Sequence, residues 1–233
     1  MKGAIGPLHA FGYALGLESE GRPMPHDLAA LLARAPVIPV IAIEDAGLAE
    51  PLAATLVEAG LPLIEITLRT PAALDAIRAV ARAVPGAVPI AGTILDERQI
   101  GEALDAGARM IVTPGTPPAL AEALVDCGVP VMPGCASPGE AMALSRLGFH
   151  ALKFFPAEAS GGPRWLASVA GPLPHLTFCP TGGITLANAP DYLALANVAC
   201  VGGTWITPKA ALQERDFTTI GRLAREAAGL KGR

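Results

Sequence analysis

LPLIEITLRTPAALDAIRAVARAVPGAVPIAG, the stretch Leu61–Gly92, holds a whole strand–helix–strand unit. Leu63–Thr67 and Val88–Ala91 are short apolar runs of strand length, rich in branched side chains. Pro71–Ala83 between them is Ala- and Leu-rich with helical spacing, and a proline at its head suits a first helical turn.

The same unit recurs on both sides. Further strand candidates are Val37–Ile43, Met110–Thr113, Val129–Pro133, Ala151–Phe155, Leu176–Cys179 and Val198–Val201, which makes eight in all. Helical stretches fall at Glu97–Ala106, Pro118–Asp126 and Pro138–Leu147, with Asp96 as an N-cap and Pro118 and Pro138 in first turns. Gly60, Gly107, Gly128 and Gly148 close helices before the next strand. Strand and helix alternating at roughly 20–26-residue spacing argue for parallel βα units. Eight units predict an α/β fold of the closed (β/α)8 barrel type, a TIM barrel, in a single domain spanning residues 26–233.

Asp27 heads a short helical run. Residues 1–25 lack a clear period and read as an N-terminal extension, a candidate for disorder. Their Gly-rich stretch has no continuous apolar segment of signal-peptide type, and no apolar run reaches the roughly 18 residues of a membrane helix. Cys127, Cys135, Cys179 and Cys200 form no CxxC pair and read as reduced thiols, so the expected location is the cytoplasm. Hydrophobic residues are 52% and aromatics 4% of the 233 residues, so the core must be large and aliphatic. A net charge of −4 with dispersed Lys and Arg leaves no basic footprint for nucleic acid.

Barrels of this kind do chemistry at the C-terminal ends of their strands. Lys153 stands out there. It is the one lysine of four that lies inside an apolar strand. Burial disfavours the charged form of an amine, and a neutral amine attacks carbonyls. Glu65 lies inside Leu63–Thr67, where an ionised carboxylate needs a partner, and Thr67 shares its parity. The two could be catalytic or simply a structural ion pair. Arg69, just past the same strand, offers a fork for a carboxylate, and Thr93 a hydroxyl for the same group. Thr181-Gly182-Gly183 and Gly202-Gly203-Thr204 end the last two strands, where barrels often hold phosphate; tight turns would also use these glycines. His150 and His175 fall at strand beginnings, away from this rim, so no zinc site is expected. No GxGxxG follows a strand, and no cofactor is expected.

The strings Glu65-Ile-Thr-Leu-Arg-Thr70, Ala91-Gly-Thr93, Pro114-Gly115, Lys153-Phe-Phe-Pro-Ala-Glu158, Phe178-Cys-Pro-Thr-Gly-Gly183 and Gly202-Gly-Thr-Trp205 resemble the 2-keto-3-deoxy-6-phosphogluconate aldolases, a family that includes 4-hydroxy-2-oxoglutarate aldolases. The resemblance runs from about Val37 to about Gly229. It implies a metal-free, class I lyase of the Entner–Doudoroff pathway, assembled as a homotrimer, that releases pyruvate. By resemblance Lys153 forms the Schiff base, Glu65 moves protons, and Arg69 and Thr93 hold the pyruvyl carboxylate. Pro114 and Phe155 line the substrate, Thr181 meets its hydroxyls, and Gly182, Gly183, Gly203 and Thr204 bind phosphate. Two features depart from the family pattern. Thr204 stands where many members have serine. Ala42-Ile43-Glu44-Asp45 is acidic where some members have a basic residue, which leaves room for a non-phosphorylated substrate. Outside this family, a non-covalent phosphosugar isomerase or epimerase barrel, or a ligand-binding barrel without catalysis, would fit the same strand ends.

Overall fold

A computed structural model describes residues 28–230; the expectations for residues 1–25, Asp27 as a cap, and the last three residues lie outside that range. In chain order the elements are α1 (Leu28–Leu32), β1 (Val37–Ile41), a 3-10 turn (Ala46–Leu48), α2 (Ala49–Glu58), β2 (Leu63–Thr67), α3 (Ala73–Ala83), β3 (Val88–Gly92), α4 (Glu97–Asp105), β4 (Met110–Val112) and α5 (Pro118–Val125). Then follow β5 (Val131–Met132), β6 (Gly134–Cys135), α6 (Pro138–Arg146), β7 (Ala151–Phe154), α7 (Gly162–Val169), β8 (Thr177–Pro180), α8 (Ala189–Leu193), β9 (Val201–Gly203), α9 (Lys209–Gln213) and α10 (Phe217–Ala228).

All strand pairs are parallel. One sheet runs β5-β4-β3-β2-β1-β9 and the other β6-β7-β8. Single bridges, Phe178 with Val198 and Thr181 with Gly202, connect the two near β8 and β9. The product is a parallel, curled α/β sheet.

The strands are apolar on both faces, as parallel strands covered on both sides must be. Alternation sorts their side chains into two clusters. Ile64, Ile66, Ile111, Leu152, Phe154 and Phe178 pack outward with the helices. Leu63, Val88, Ile90, Met110, Val112 and Cys179 pack inward, with Leu28, Leu31 and Leu32 of α1 against the same cluster. Glu65 and Thr67 share the parity of Leu63 on β2, and Lys153 lies between two outward residues on β7. All three therefore belong to the inner face.

Asp96 caps α4 by accepting from the Gln99 N–H at 2.9 Å, and Ser137 with Glu140 forms a capping box on α6. Pro118 and Pro138 open their helices. Pro71 does not, because α3 begins two residues later behind Ala72. The fifth expected strand, Val129–Pro133, is shorter, at Val131–Met132, and beyond Pro133, which lacks a ladder N–H, the separate short strand β6 pairs with β7. The last strand lies at Val201–Gly203 rather than Val198–Val201, and the first stops at Ile41. Gly202 and Gly203 are therefore strand residues, paired with Ile38 and Pro39 of β1, and not a tight turn.

Candidate active site

Lys153 Nζ donates to Glu65 Oε1 at 2.9 Å, with the two side chains 4% and 2% exposed. The partners come from different sheets, β7 and β2, and are 88 residues apart in sequence. Each is set inward by its outward neighbours: Leu152 and Phe154 around Lys153, Ile64 and Ile66 around Glu65. Behind β7, Phe154 stacks on Trp165 of α7 at 4.2 Å, and Trp165 meets Phe178 of β8 edge-on at 5.6 Å. That aromatic group fixes the strand that carries the lysine.

The carboxylate needs room that only glycine leaves. A Cβ on Gly92, at the end of β3, would lie 2.3 Å from Glu65 Oε1. The Phe155 ring centroid is 5.5 Å from Lys153 Nζ, so the amine faces an aromatic wall on one side. Phe155 precedes Pro156 through a cis peptide bond.

Arg69 stands exposed at the rim. Its Nε donates to Thr67 Oγ1 at 3.0 Å, and Thr67 in turn donates to the Ile41 carbonyl at 3.0 Å. The outer guanidinium nitrogens make no hydrogen bond with described residues and are presented to the rim. Thr93 follows Gly92 with φ 61, a left-handed conformation that few non-glycine residues adopt and that clusters at functional sites. Among the described residues, neither Arg69 nor Thr93 hydrogen-bonds to the Lys153–Glu65 pair; the two stand beyond the ends of β2 and β3.

Thr181 is 5% exposed, and its Oγ1 has no hydrogen-bond partner among the described residues. An orphan hydroxyl of this kind costs about 1–3 kcal/mol in the empty protein and suits a donor reserved for a ligand. A Cβ on Gly202 would fall 2.2 Å from that oxygen, so glycine makes its niche. Gly182 and Gly183 turn with φ 100 and 79. Gly203 lies against the Trp205 ring, 1.9 Å from where a Cβ would sit, and Thr204 is exposed beyond it.

Pro114 is half-buried, with its backbone 2.5 Å from where a Cβ on Gly134 would be. Two residues that sequence reasoning passed over hold this corner. Thr113 Oγ1 accepts from the Gly134 N–H at 2.8 Å and bonds Thr116 Oγ1 at 2.7 Å, while Thr116 donates to the Gly134 carbonyl at 2.9 Å. Thr67 was legible as the inward neighbour of Glu65; Thr113 and Thr116 carried no local signal.

The acidic corner after β1 is engaged elsewhere. Asp45 accepts from the Gly47 N–H at 2.9 Å and pairs with Arg215 at 3.0 Å, both side chains largely exposed. Burial, and secondarily the charge of Glu140, pushes the Cys135 thiol beside the site from its ordinary 9.0 up to about 12, which makes it a poor nucleophile. Among the described residues no group of three or more His, Cys, Asp or Glu is gathered to hold a metal ion, and no helix is long and apolar enough to cross a membrane.

Residues 28–223 match the family described as KDPG and KHG aldolase. The KHG/KDPG aldolase of Escherichia coli (strain K12) is 45% identical over 197 residues, covering 84% of this chain and 92% of that protein. A crystal structure of KDPG aldolase from Legionella pneumophila, with pyruvate captured as a covalent carbinolamine intermediate, superposes with a TM-score of 0.85 at 39% identity, covering 88% of this chain and 99% of that one. The 2-keto-3-deoxy-6-phosphogluconate aldolase of Zymomonas mobilis ZM4 with 3-phosphoglycerate gives a TM-score of 0.85 at 41% identity, covering 90% and 98%. This chain belongs to the KDPG and KHG aldolase family.

Proposed function

We propose that this chain cleaves 2-keto-3-deoxy-6-phosphogluconate to pyruvate and glyceraldehyde 3-phosphate through a Schiff base on Lys153. The observation that carries the proposal is the buried contact of Lys153 Nζ with Glu65 Oε1 at 2.9 Å. Transfer of one proton across it leaves a neutral amine facing a carboxylic acid, the pair that addition to a ketone requires. The amine adds to C2, the carbinolamine hydroxyl leaves as water with the proton held by Glu65, and an iminium and a Glu65 carboxylate remain. Glu65 removes the C4 hydroxyl proton, the C3–C4 bond breaks, and its electrons pass into the iminium as an enamine. Protonation at C3 and hydrolysis release pyruvate and return Lys153. Arg69, held from behind by Thr67, binds the pyruvyl carboxylate with Thr93. Pro114 and Phe155 line the chain of the substrate, the free Thr181 hydroxyl meets a substrate hydroxyl, and Gly182, Gly183, Gly203 and Thr204 receive the phosphate.

The frame for this is a single domain, residues 26–233, closed as a (β/α)8 barrel. Closure is supported by the one-residue gap at Pro133 between β5 and β6 and by the bridges between Phe178 and Val198 and between Thr181 and Gly202. A homotrimer in the cytoplasm, where a charged phosphorylated sugar acid is retained, completes the proposal; light scattering at three times the 23.7 kDa chain mass would support the trimer, and a monomer would remove it. Cleavage of 4-hydroxy-2-oxoglutarate is a second activity for the same pair, favoured by the double name of the E. coli relative.

Incubation with pyruvate and borohydride, then intact mass and peptide mapping, tests the covalent step. One reduced pyruvyl unit on Lys153 is expected, with none in Lys153→Ala and some in Glu65→Gln. No adduct on folded protein, or turnover by Lys153→Ala, overturns it. Inorganic phosphate should compete with the phosphorylated substrate and little with 4-hydroxy-2-oxoglutarate.

A further inference from the structure

Three anchors meet behind the Gly182-Gly183 turn. Ala157 N–H donates to the Thr181 carbonyl at 2.8 Å and Glu158 N–H to the Gly182 carbonyl at 3.1 Å. Asn188 Nδ2 donates to the Gly183 carbonyl at 3.1 Å. In a trans peptide the carbonyl and the following N–H point in opposite directions. The N–H groups of Gly182, Gly183 and Ile184 are thus turned away from these anchors, and among the described residues none of them donates to a protein acceptor. Successive N–H groups so aligned make a seat for an anion.

One further side chain braces the seat. A Cβ on Gly183 would lie 2.5 Å from Glu158 Cγ and 2.7 Å from its Cβ, so the stem of Glu158 packs directly on the turn. The Glu158 carboxylate accepts from the hydroxyl of Tyr192 on α8 in a short hydrogen bond. Tyr192 is wholly buried, and a Cβ on Gly162 would come within 3.2 Å of its hydroxyl, so the phenol has little freedom to move. Burial, and then Glu158 itself, pushes the Tyr192 phenol upward, which keeps it a donor. The brace is rigid at Tyr192 and transmits its position through Glu158 to Gly183.

We propose that Glu158 and Tyr192 are positioning residues that fix the Gly182-Gly183 turn as the seat for the substrate phosphate, and so bias this site toward phosphorylated 2-oxo acids. The proposal rests on the substrate reading above. Its signature is selective: the phosphate end loosens while the pyruvyl end does not.

Three variants test it: Tyr192→Phe, Glu158→Ala and Glu158→Gln. Glu158 is exposed, so its replacement spares the fold even where loss of the Tyr192 hydroxyl does not. The readouts are titration with inorganic phosphate, KM and kcat for 2-keto-3-deoxy-6-phosphogluconate, and borohydride trapping of pyruvate. Tyr192→Phe and Glu158→Ala should weaken phosphate binding and raise KM by roughly tenfold, the scale of one lost charge-assisted hydrogen bond. Pyruvate trapping should hold within about twofold, and Glu158→Gln, which keeps an accepting oxygen, should stay near the parent. Unchanged phosphate affinity in both disruptive variants overturns the proposal. So does a parallel fall in pyruvate trapping, which would mean general loosening of the barrel end. If the parent protein traps no pyruvate, the substrate reading falls, and the phosphate titration still decides this one: a parent that binds no phosphate overturns it.

Discussion

Glu65 and Gly92 show how little space the chemistry is given. The 2.3 Å between a Cβ at Gly92 and Glu65 Oε1 leaves no room for a methyl group, and the obstacle is the carboxylate proposed to move protons. Gly92→Ala should therefore displace Glu65, lowering kcat by roughly 10²-fold or more as the positioned base is lost, while circular dichroism shows a folded chain. Full kcat in that variant would mean that the carboxylate is not held at its working position. Lys153 and Glu65 were legible in the sequence because a charge inside an apolar strand is conspicuous. Their meeting was open to the same reading, as a catalytic or a structural pair, while the 2.9 Å separation came only with the fold, because parity gives a face and not a distance.

Strand ends are locked together by side chains as much as by ladders. Thr113 and Thr116 bond the N–H and carbonyl of Gly134, tying the end of β4 to β6 at the residue in register with Lys153. Thr113→Val removes the hydroxyl and leaves the buried Gly134 N–H without an acceptor. A loss of about 1–3 kcal/mol is expected, read as a lower urea midpoint with an unchanged slope. An unaltered midpoint would show that the ladder alone holds this corner. Such clamps are closed to sequence reasoning: a threonine near a strand end has many ordinary uses, and its partner lies 18 to 21 residues on. Helix starts were legible where the signal is local, as at Asp96, Pro118 and Pro138, while the Ser137 cap went unread. Pro71 misled by two residues, since a proline suits the turn before a helix as well as its first turn. The second glycine pair misled in a different way. Gly202 and Gly203 look like turn residues, yet they are strand positions whose missing side chains leave space for Thr181 and Trp205.

At the scale of the molecule, burial of acidic protons sets the alkaline limit. The Cys135 thiol is raised from 9.0 to about 12 by desolvation, and that of Cys200 well above its usual value by a hydrogen bond with the free Cys179 thiol and by burial. Between those values the native state keeps a proton that the unfolded chain releases. The unfolded state then binds fewer protons, so stability falls as pH rises from about 9, by up to about 1.4 kcal/mol per pH unit for each such thiol. Urea midpoints from about pH 8 to about pH 10.5 should decline, and Cys135→Ala should decline less steeply. Identical slopes would show that this thiol does not contribute. The alternation of strand and helix was legible from Leu63 to Leu147 because each βα unit there carries its own period and punctuation; beyond it the strands were named but not the helices α7 to α10. The order in which strands pair is a property of chain topology, and the short strand β6 beyond Pro133 showed itself only in the ladder.

The lysine and the carboxylate that meets it stand on separate sheets, and this has a consequence for a chain still emerging from the ribosome. Until both halves are made and docked, Lys153 has no carboxylate beside it to exchange a proton with, and it stands no differently from any other lysine of the chain. The proposed chemistry therefore waits for the completed molecule, in which two strands made far apart in time are brought face to face.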